Sequence, residues 1–169
     1  MRARLEHREV RAKLPQRYPL LLVDQVVELR AGESIRTRKA ISGTEPCYRA
    51  LADGTAPESY AYPLSLMVES LGQSAALLWL EGGGEVVDES SALLFTGARG
   101  VRLLGAAYPG DVLEHTVELE NVIAETVFAR GVSRVGDRTV LTAESLIAAR
   151  RPRAAMGQLP DARNDQRGM

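Results

Sequence analysis

The stretch YPLSLMVESLGQSAALLWL, residues Tyr62–Leu80, predicts the element that decides the fold. Its apolar side chains recur at intervals of three and four residues, which is the spacing of one face of an α-helix. Further leucine and tryptophan side chains occupy the other faces, so this helix lacks the polar side that a surface helix presents to water. Pro63 suits the first turn, because that position needs no backbone N–H. We therefore predict a long helix that is enclosed by the rest of the protein.

Glu69 is the one charged residue of this stretch, and Gln73 lies one turn later on the same face. The stretch approaches the length of a membrane span, but Glu69, Gln73 and three serines argue against insertion. Burying an unpaired carboxylate costs several kcal/mol, so Glu69 needs a partner, a proton or water. Two interpretations are open: a carboxylate satisfied by backbone donors or a partner subunit, and a desolvated acid–base residue at the end of a pocket.

The composition, with 45% apolar and 25% charged residues, is typical of one globular domain. A net charge of −1 gives no reason to expect nucleic acid as a partner. Cys47 is the one cysteine, which excludes an internal disulfide and a cysteine-based metal cluster. Because His7 and His115 are the only histidines, we predict no metal. The N-terminus is charged and has no apolar signal segment, so we expect a cytoplasmic protein.

The segments around the helix indicate a short helix and several strands. Glu6–Leu14 predicts the short helix, and Leu20–Val23 and Val26–Val27 are rich in β-prone residues. Ser34–Ser42 alternates polar and apolar residues and pairs naturally as a return strand. Gly82–Gly84 ends the long helix. Strands are predicted in the last third at Ala92–Ala107 (bent near Gly97 and Gly100), Val112–Ala124, Thr126–Val135 and Thr139–Ala149.

One long central helix wrapped by a curved antiparallel sheet is the α+β hot-dog fold. We predict a single domain over residues 1–149, with an irregular segment at Glu45–Ala61, and a polar, mobile tail over residues 150–169. The open edge of such a sheet pairs readily with a second copy, so a dimer is expected and no membrane.

Four blocks of this sequence resemble the 3-hydroxyacyl-[acyl-carrier-protein] dehydratases of fatty-acid synthesis, the FabZ/FabA type. The blocks are LPQRYPLLLVDQVVEL (14–29), Thr44-Glu45-Pro46, YPLSLMVESLGQSAA (62–76) and YPGDVL (108–113). They occur in the family's order and are spread over most of the chain outside the tail. The resemblance implies a hot-dog dimer with acyl tunnels at the subunit interface. It also implies a substrate carried as a thioester on the phosphopantetheine of an acyl carrier protein, with no other cofactor.

The family's reaction removes water from a 3-hydroxyacyl thioester. A loop histidine takes the α proton, a helix carboxylate from the other subunit protonates the departing hydroxyl, and N–H groups at the start of the helix polarise the carbonyl. Glu69 matches the carboxylate and Gln73 the glutamine one turn later. Tyr62, Pro63 and Leu64 form the helix entrance, where the family usually has Pro-Gly, so the resemblance assigns these three residues and Gln73 to substrate binding.

The family's loop histidine is missing from CYRALADGTAPESYAYP, residues 47–63. His115 shares the inward face of its strand with Leu113 and Val117, and we interpret it as a half-buried strand residue rather than a substitute base. Candidates weighed against ordinary roles are Asp53 and Glu58 as loop bases, Cys47 as a nucleophile, and Tyr48, Tyr60 and Tyr62, better interpreted as tunnel lining. His7 is predicted to be a surface residue.

The sequence therefore favours a dehydratase subunit that supplies Glu69 to a site completed by a histidine of a partner subunit. The partner is a second copy or, as the missing histidine favours, a His-bearing dehydratase-like subunit of a fatty-acid or polyketide pathway. Two alternatives remain: a non-catalytic subunit that binds acyl chains or stabilises an active partner, and a hot-dog thioesterase that uses Glu69 to activate water. Four arginines could attract an acidic carrier protein: Arg99, Arg102, Arg150 and Arg151. The simpler interpretation is that they are solvated surface residues.

Overall fold

A computed structural model of the protein describes residues 3–83 and 91–152. Its helices are α1 (His7–Lys13) and α2 (Leu64–Glu81), with short 3-10 helices at Pro46–Tyr48 and Pro57–Tyr60. Its strands are β1 (Ala3–Leu5), β2 (Gln25–Arg30), β3 (Ser34–Ala40), β4 (Ser91–Arg99), β5 (Arg102–Leu103), β6 (Val112–Ile123), β7 (Thr126–Val135) and β8 (Arg138–Pro152). The predicted α+β architecture is confirmed.

The strands of the described residues form one antiparallel sheet in the order β1-β2-β3-β6-β7-β8-β4, with β5 paired beside β4 on β8. Helix α2 packs against the inner faces of β3, β6, β7 and β8. Every residue from Ser70 to Trp79 is buried, as its apolar sequence predicts. No helix within the described ranges is both long and apolar enough to cross a membrane.

Two glycines let the helix approach the sheet closely. A Cβ at Gly72 would lie 3.2 Å from Cδ2 of Phe95 on β4, and a Cβ at Gly131 on β7 would lie 2.9 Å from Cδ1 of Leu71. Apolar side chains from both layers fill the space between these contacts. The helix axis is therefore fixed against the centre of the sheet, which also fixes the direction in which its polar residues point.

The structure differs from three of the predicted strands. Leu20–Val23 is not a strand, because backbone groups of Leu20 and Leu22 bond to side chains of α2 instead of to a neighbouring strand. The predicted long strand from Ala92 is divided after Arg99 by Gly100, whose φ is +58°. Strand β8 continues to Pro152, beyond the predicted end of this strand at Ala149. The remainder of the predicted tail lies outside the described residues.

Candidate active site

Glu69 lies in the second turn of α2 and is half-buried in the single chain. Its Oε1 accepts a hydrogen bond of 2.9 Å from Nε2 of Gln73. The predicted shared face of these two residues is therefore present as a direct contact. Gln73 itself is 2% exposed, and its amide also bonds to the backbone of Leu20 and Leu22.

The N-terminus of α2 lies one turn before Glu69. The carbonyl of Pro63 accepts the N–H groups of Leu66 and Met67, both at 3.0 Å, and Pro63 makes no side-chain capping bond. The N–H groups of Leu64 and Ser65 belong to the first turn, where the helix provides no acceptor and its dipole is positive. Leu64 is 41% exposed, so its side chain lies at this entrance rather than in the core.

A cleft of about 410 Å³ adjoins the same region. Its walls are Pro19, Leu20, Glu45, Pro46, Cys47, Arg49, Ala50 and Leu66. Leu66 lies three residues before Glu69 and so on a neighbouring part of the helix surface. The carbonyl of Leu20 bonds to Gln73 at 2.6 Å. The cleft is therefore bounded by the helix face that carries Glu69, by the segment before β2 and by the loop after β3.

Lys39, Glu45 and Tyr62 form a buried polar cluster at the start of the loop that follows β3. The sequence analysis did not predict this cluster. Lys39 points inward from β3, and its Nζ contacts Glu45 Oε1 and the carbonyl of Ala40. The Tyr62 hydroxyl donates to Glu45 Oε2 at 3.1 Å, and Lys39 Nζ lies 5.8 Å from the centroid of the Tyr62 ring. Burial, followed by the charge of Glu45, raises the pKa of Tyr62, so this hydroxyl keeps its proton and acts as a hydrogen-bond donor within the cluster. Alternation along β3 was the available signal, since Ile35, Thr37 and Lys39 share one face.

The other loop residues considered for catalysis or tunnel lining differ in how far their side chains are exposed. Asp53 and Glu58 are exposed, whereas Tyr48 is buried and its ring centroid lies 5.9 Å from that of Tyr60. Burial is the main cause that raises the pKa of Tyr48 and that of Cys47. The Cys47 thiol is therefore kept protonated, which makes it a poor nucleophile.

Both histidines lie in positions unsuited to the cleft. His115 is fully buried rather than half-buried as predicted. Its Nε2 lies 2.8 Å from the Ser70 hydroxyl and its Nδ1 2.8 Å from the Ser133 hydroxyl. Desolvation, with a smaller contribution from the charge of Lys39, lowers the pKa of His115 to about 3. The imidazole is neutral and has partners on both nitrogens, while His7 is exposed at the start of α1.

Residues 14–144 match the FabA-like domain family. The chain belongs to this family, whose hot-dog fold accords with the helix and sheet described above. It is similar to 3-hydroxyacyl-[acyl-carrier-protein] dehydratase FabZ of Polaromonas sp. (strain JS666), with 35% identity over 84% of this chain and 95% of the relative. FabZ of Paracidovorax citrulli is 37% identical over 81% of this chain and 91% of the relative.

Solved structures agree on the fold. A chain of the dehydratase heterocomplex ApeI:P from Xenorhabdus doucetiae matches with a TM-score of 0.71 at 19% identity, covering 90% of this chain and 97% of that one. A point mutant of the fluoroacetyl-CoA-specific thioesterase FlK matches with a TM-score of 0.59 at 16% identity, covering 76% of this chain and 93% of that one. At these identities the likeness establishes the arrangement of helix and sheet and not the chemistry.

Proposed function

We propose that this chain is a subunit of a 3-hydroxyacyl thioester dehydratase and supplies Glu69 to a site that a histidine of a partner subunit completes. The observation that carries the proposal is the position of Glu69 relative to the cleft, taken together with the positions of the two histidines. Glu69 lies three residues after Leu66, which lines the cleft near the start of α2, whereas His115 is buried between Ser70 and Ser133 and His7 lies at the start of α1. The similarity to FabZ dehydratases supplies the reaction class.

In the proposed reaction, the acyl thioester enters on the phosphopantetheine of a carrier protein. The partner's histidine removes the α proton as the bond between the β carbon and the hydroxyl breaks, and the α,β double bond forms. The Glu69 carboxyl gives its proton to the departing hydroxyl, which leaves as water. The histidine loop leads directly into the start of the helix, so the N–H groups that stabilise the negative charge on the thioester oxygen come from the first turn of the partner's helix.

Two features support a subunit interface as the place of this site. Strand β4 ends the sheet, and pairing of its outer edge with another hot-dog chain would cover that edge. The ApeI:P dehydratase provides a precedent, as a heterocomplex, for two different chains in one assembly. A partner with an intact histidine loop would give one complete site with Glu69 of this chain.

The experiment coexpresses this chain with a neighbouring dehydratase-like gene and assays each chain alone and both together on a 3-hydroxyacyl carrier protein. We expect activity from the assembly that requires Glu69 of this chain, with Glu69→Gln reducing kcat by about 10²–10⁴-fold. Glu81→Gln is the matched control on the same helix, because Glu81 pairs with Lys13 at the far end. Full activity of the purified chain alone would contradict the partner requirement.

The positions of the two histidines also favour a second function, that of a non-catalytic subunit that binds acyl chains or stabilises its partner. In that case Glu69→Gln would leave the activity of the assembly unchanged. Release of free acid from an acyl thioester would instead indicate a thioesterase.

Four arginines on β4, β5 and β8 are candidates for contact with an acidic carrier protein. Arg99 is exposed, and Arg102 is exposed with an ion pair of 3.2 Å to Glu144. Arg150 lies 3.6 Å from Glu125, and the side chain of Arg151 lies outside the described residues. Weaker binding of an acyl carrier protein by Arg99→Ser at low salt, with the difference lost at high salt, would test this contribution.

A further inference from the structure

We propose that Gln73 is a positioning residue that ties the orientation of the Glu69 carboxylate to the wall of the cleft formed by Pro19 and Leu20. This inference rests on the proposed function for its catalytic consequence. Its structural part concerns only contacts within this chain. The resemblance to the dehydratases assigns Gln73 to substrate binding, and its contacts in the structure indicate a different role.

The amide of Gln73 has its polar atoms engaged inside the protein. One Nε2 hydrogen goes to Glu69 Oε1 at 2.9 Å and the other to the carbonyl of Leu20 at 2.6 Å. Its Oε1 accepts the N–H of Leu22 at 2.9 Å. A primary amide has two N–H donors, so neither is left for a substrate. With 2% exposure, Gln73 acts on the cleft through its neighbours.

The segment that Gln73 holds has no strand partner at this point. Leu20 and Leu22 would otherwise contribute backbone groups to a sheet ladder, but here α2 side chains satisfy them. Ser70 adds a third contact, donating to the carbonyl of Leu22 at 3.3 Å, and is itself bonded to His115 on β6. The segment is therefore docked on the helix by side chains one turn apart.

The consequence is a mechanical link between the cleft and the carboxylate. Pro19 and Leu20 line the cleft, and the Leu20 carbonyl shares the amide group that orients Glu69. A displacement of this wall would shift the amide and with it the carboxylate. A misplacement of about 1 Å in a reacting group can lower the rate by about 100-fold.

The test compares Gln73→Glu, Gln73→Met and the control Gln25→Met. Glutamate at position 73 keeps an acceptor for the Leu22 N–H but loses both donors, whereas methionine loses all three bonds. Gln25 is a matched control, because its amide donates at 3.0 Å to another glutamate, Glu6, at the start of α1. The readouts are kcat and KM of the assembled enzyme and amide hydrogen exchange at Leu22 in the full chain.

For Gln73→Glu we expect kcat to fall by about 10–100-fold, KM to stay within about threefold, and protection of the Leu22 amide to be retained. For Gln73→Met we expect the same loss of kcat together with faster exchange at Leu22. Gln25→Met is expected to match the wild type in all three quantities. A lower kcat with a nearly unchanged KM, in a variant whose Leu22 amide stays protected, would not arise from loss of folded protein alone.

Wild-type kcat in Gln73→Glu would overturn the positioning role. Unchanged exchange at Leu22 in Gln73→Met would overturn the link to the cleft wall, whatever the activity. Failure of the proposed function gives a different result, namely an inactive wild-type assembly or a fully active Glu69→Gln assembly. In that case exchange at Leu22 still decides whether the Gln73 amide holds the segment.

Discussion

The buried imidazole of His115 makes the stability of this fold depend on pH in a way that can be measured. The pKa of His115 is lowered from 6.5 to about 3 in the folded protein, mainly by desolvation. Between these two pH values, His115 is therefore protonated in the unfolded chain and neutral in the folded chain. Stability contributed by the neutral imidazole is fully present above the unfolded pKa and is lost as pH falls.

The magnitude follows from the two pKa values. Each pH unit well inside the interval costs up to about 1.4 kcal/mol, since one unit of pKa difference corresponds to that free energy. Because the slope is smaller near the upper end, lowering the pH from 6 to 4 removes about 2 to 3 kcal/mol through this group. For a domain stabilised by about 5 to 15 kcal/mol, such a loss is easily detected.

The assay is urea unfolding at a series of pH values, for the wild type and for His115→Gln. Acidic groups also titrate in this range, so the informative quantity is the difference in slope between the two proteins. The variant is expected to be less stable at neutral pH, because it disturbs the bonds to Ser70 and Ser133, but to lose less stability on acidification. The same substitution at the exposed His7 is the matched control. Equal slopes for wild type and His115→Gln would refute the reasoning.

Two further predictions concern packing and the buried ion pair, and both are measured by urea unfolding. Gly131→Ala is expected to lower the free energy of unfolding by about 1–3 kcal/mol, because the added Cβ would lie 2.9 Å from Cδ1 of Leu71. Gly97→Ala is the control, because its Cβ would meet open space, and it should change the free energy of unfolding far less. Glu45→Gln is expected to cost about 3–5 kcal/mol, because it leaves the charge of Lys39 buried without its partner. The double variant Glu45→Leu with Lys39→Met removes both charges and should cost less than Glu45→Gln; an equal or larger cost would contradict this account.

The elements of this fold could be predicted because their signals are local. An apolar run with one carboxylate predicts α2, and alternation predicts β3, β6, β7 and β8 to within a few residues. Leu20–Val23 has the composition of a strand, yet its partners are the side chains of Gln73 and Ser70. Nothing within that segment distinguishes a strand ladder from a helix side chain as the acceptor of its N–H groups.

The environment of the candidate site could be predicted only in part. The contact between Glu69 and Gln73 follows from their spacing along one helix. The pairing of Thr37 with His115 depends on the register between β3 and β6, which are distant in sequence, and the pairing of His115 with Ser133 depends on the register of the β6–β7 hairpin. The Lys39–Glu45 pair likewise depends on how the loop folds back over β3. Such contacts are set by tertiary packing, which a single sequence does not specify position by position.

The polar side chains of α2 differ in how far the fold itself satisfies them, and this difference singles out Glu69. Ser74 is bonded to Thr37 and to the carbonyl of Ser70, while Ser70 and Gln73 hold the Leu22 segment. Within the described ranges, Glu69 accepts one hydrogen bond, from Gln73. A carboxylate has two oxygens with about four acceptor positions, so Glu69 retains capacity for a further hydrogen-bond partner. A helix whose other buried polar groups are committed to structure can present one oriented acid to a reacting group without exposing the rest of its length to water.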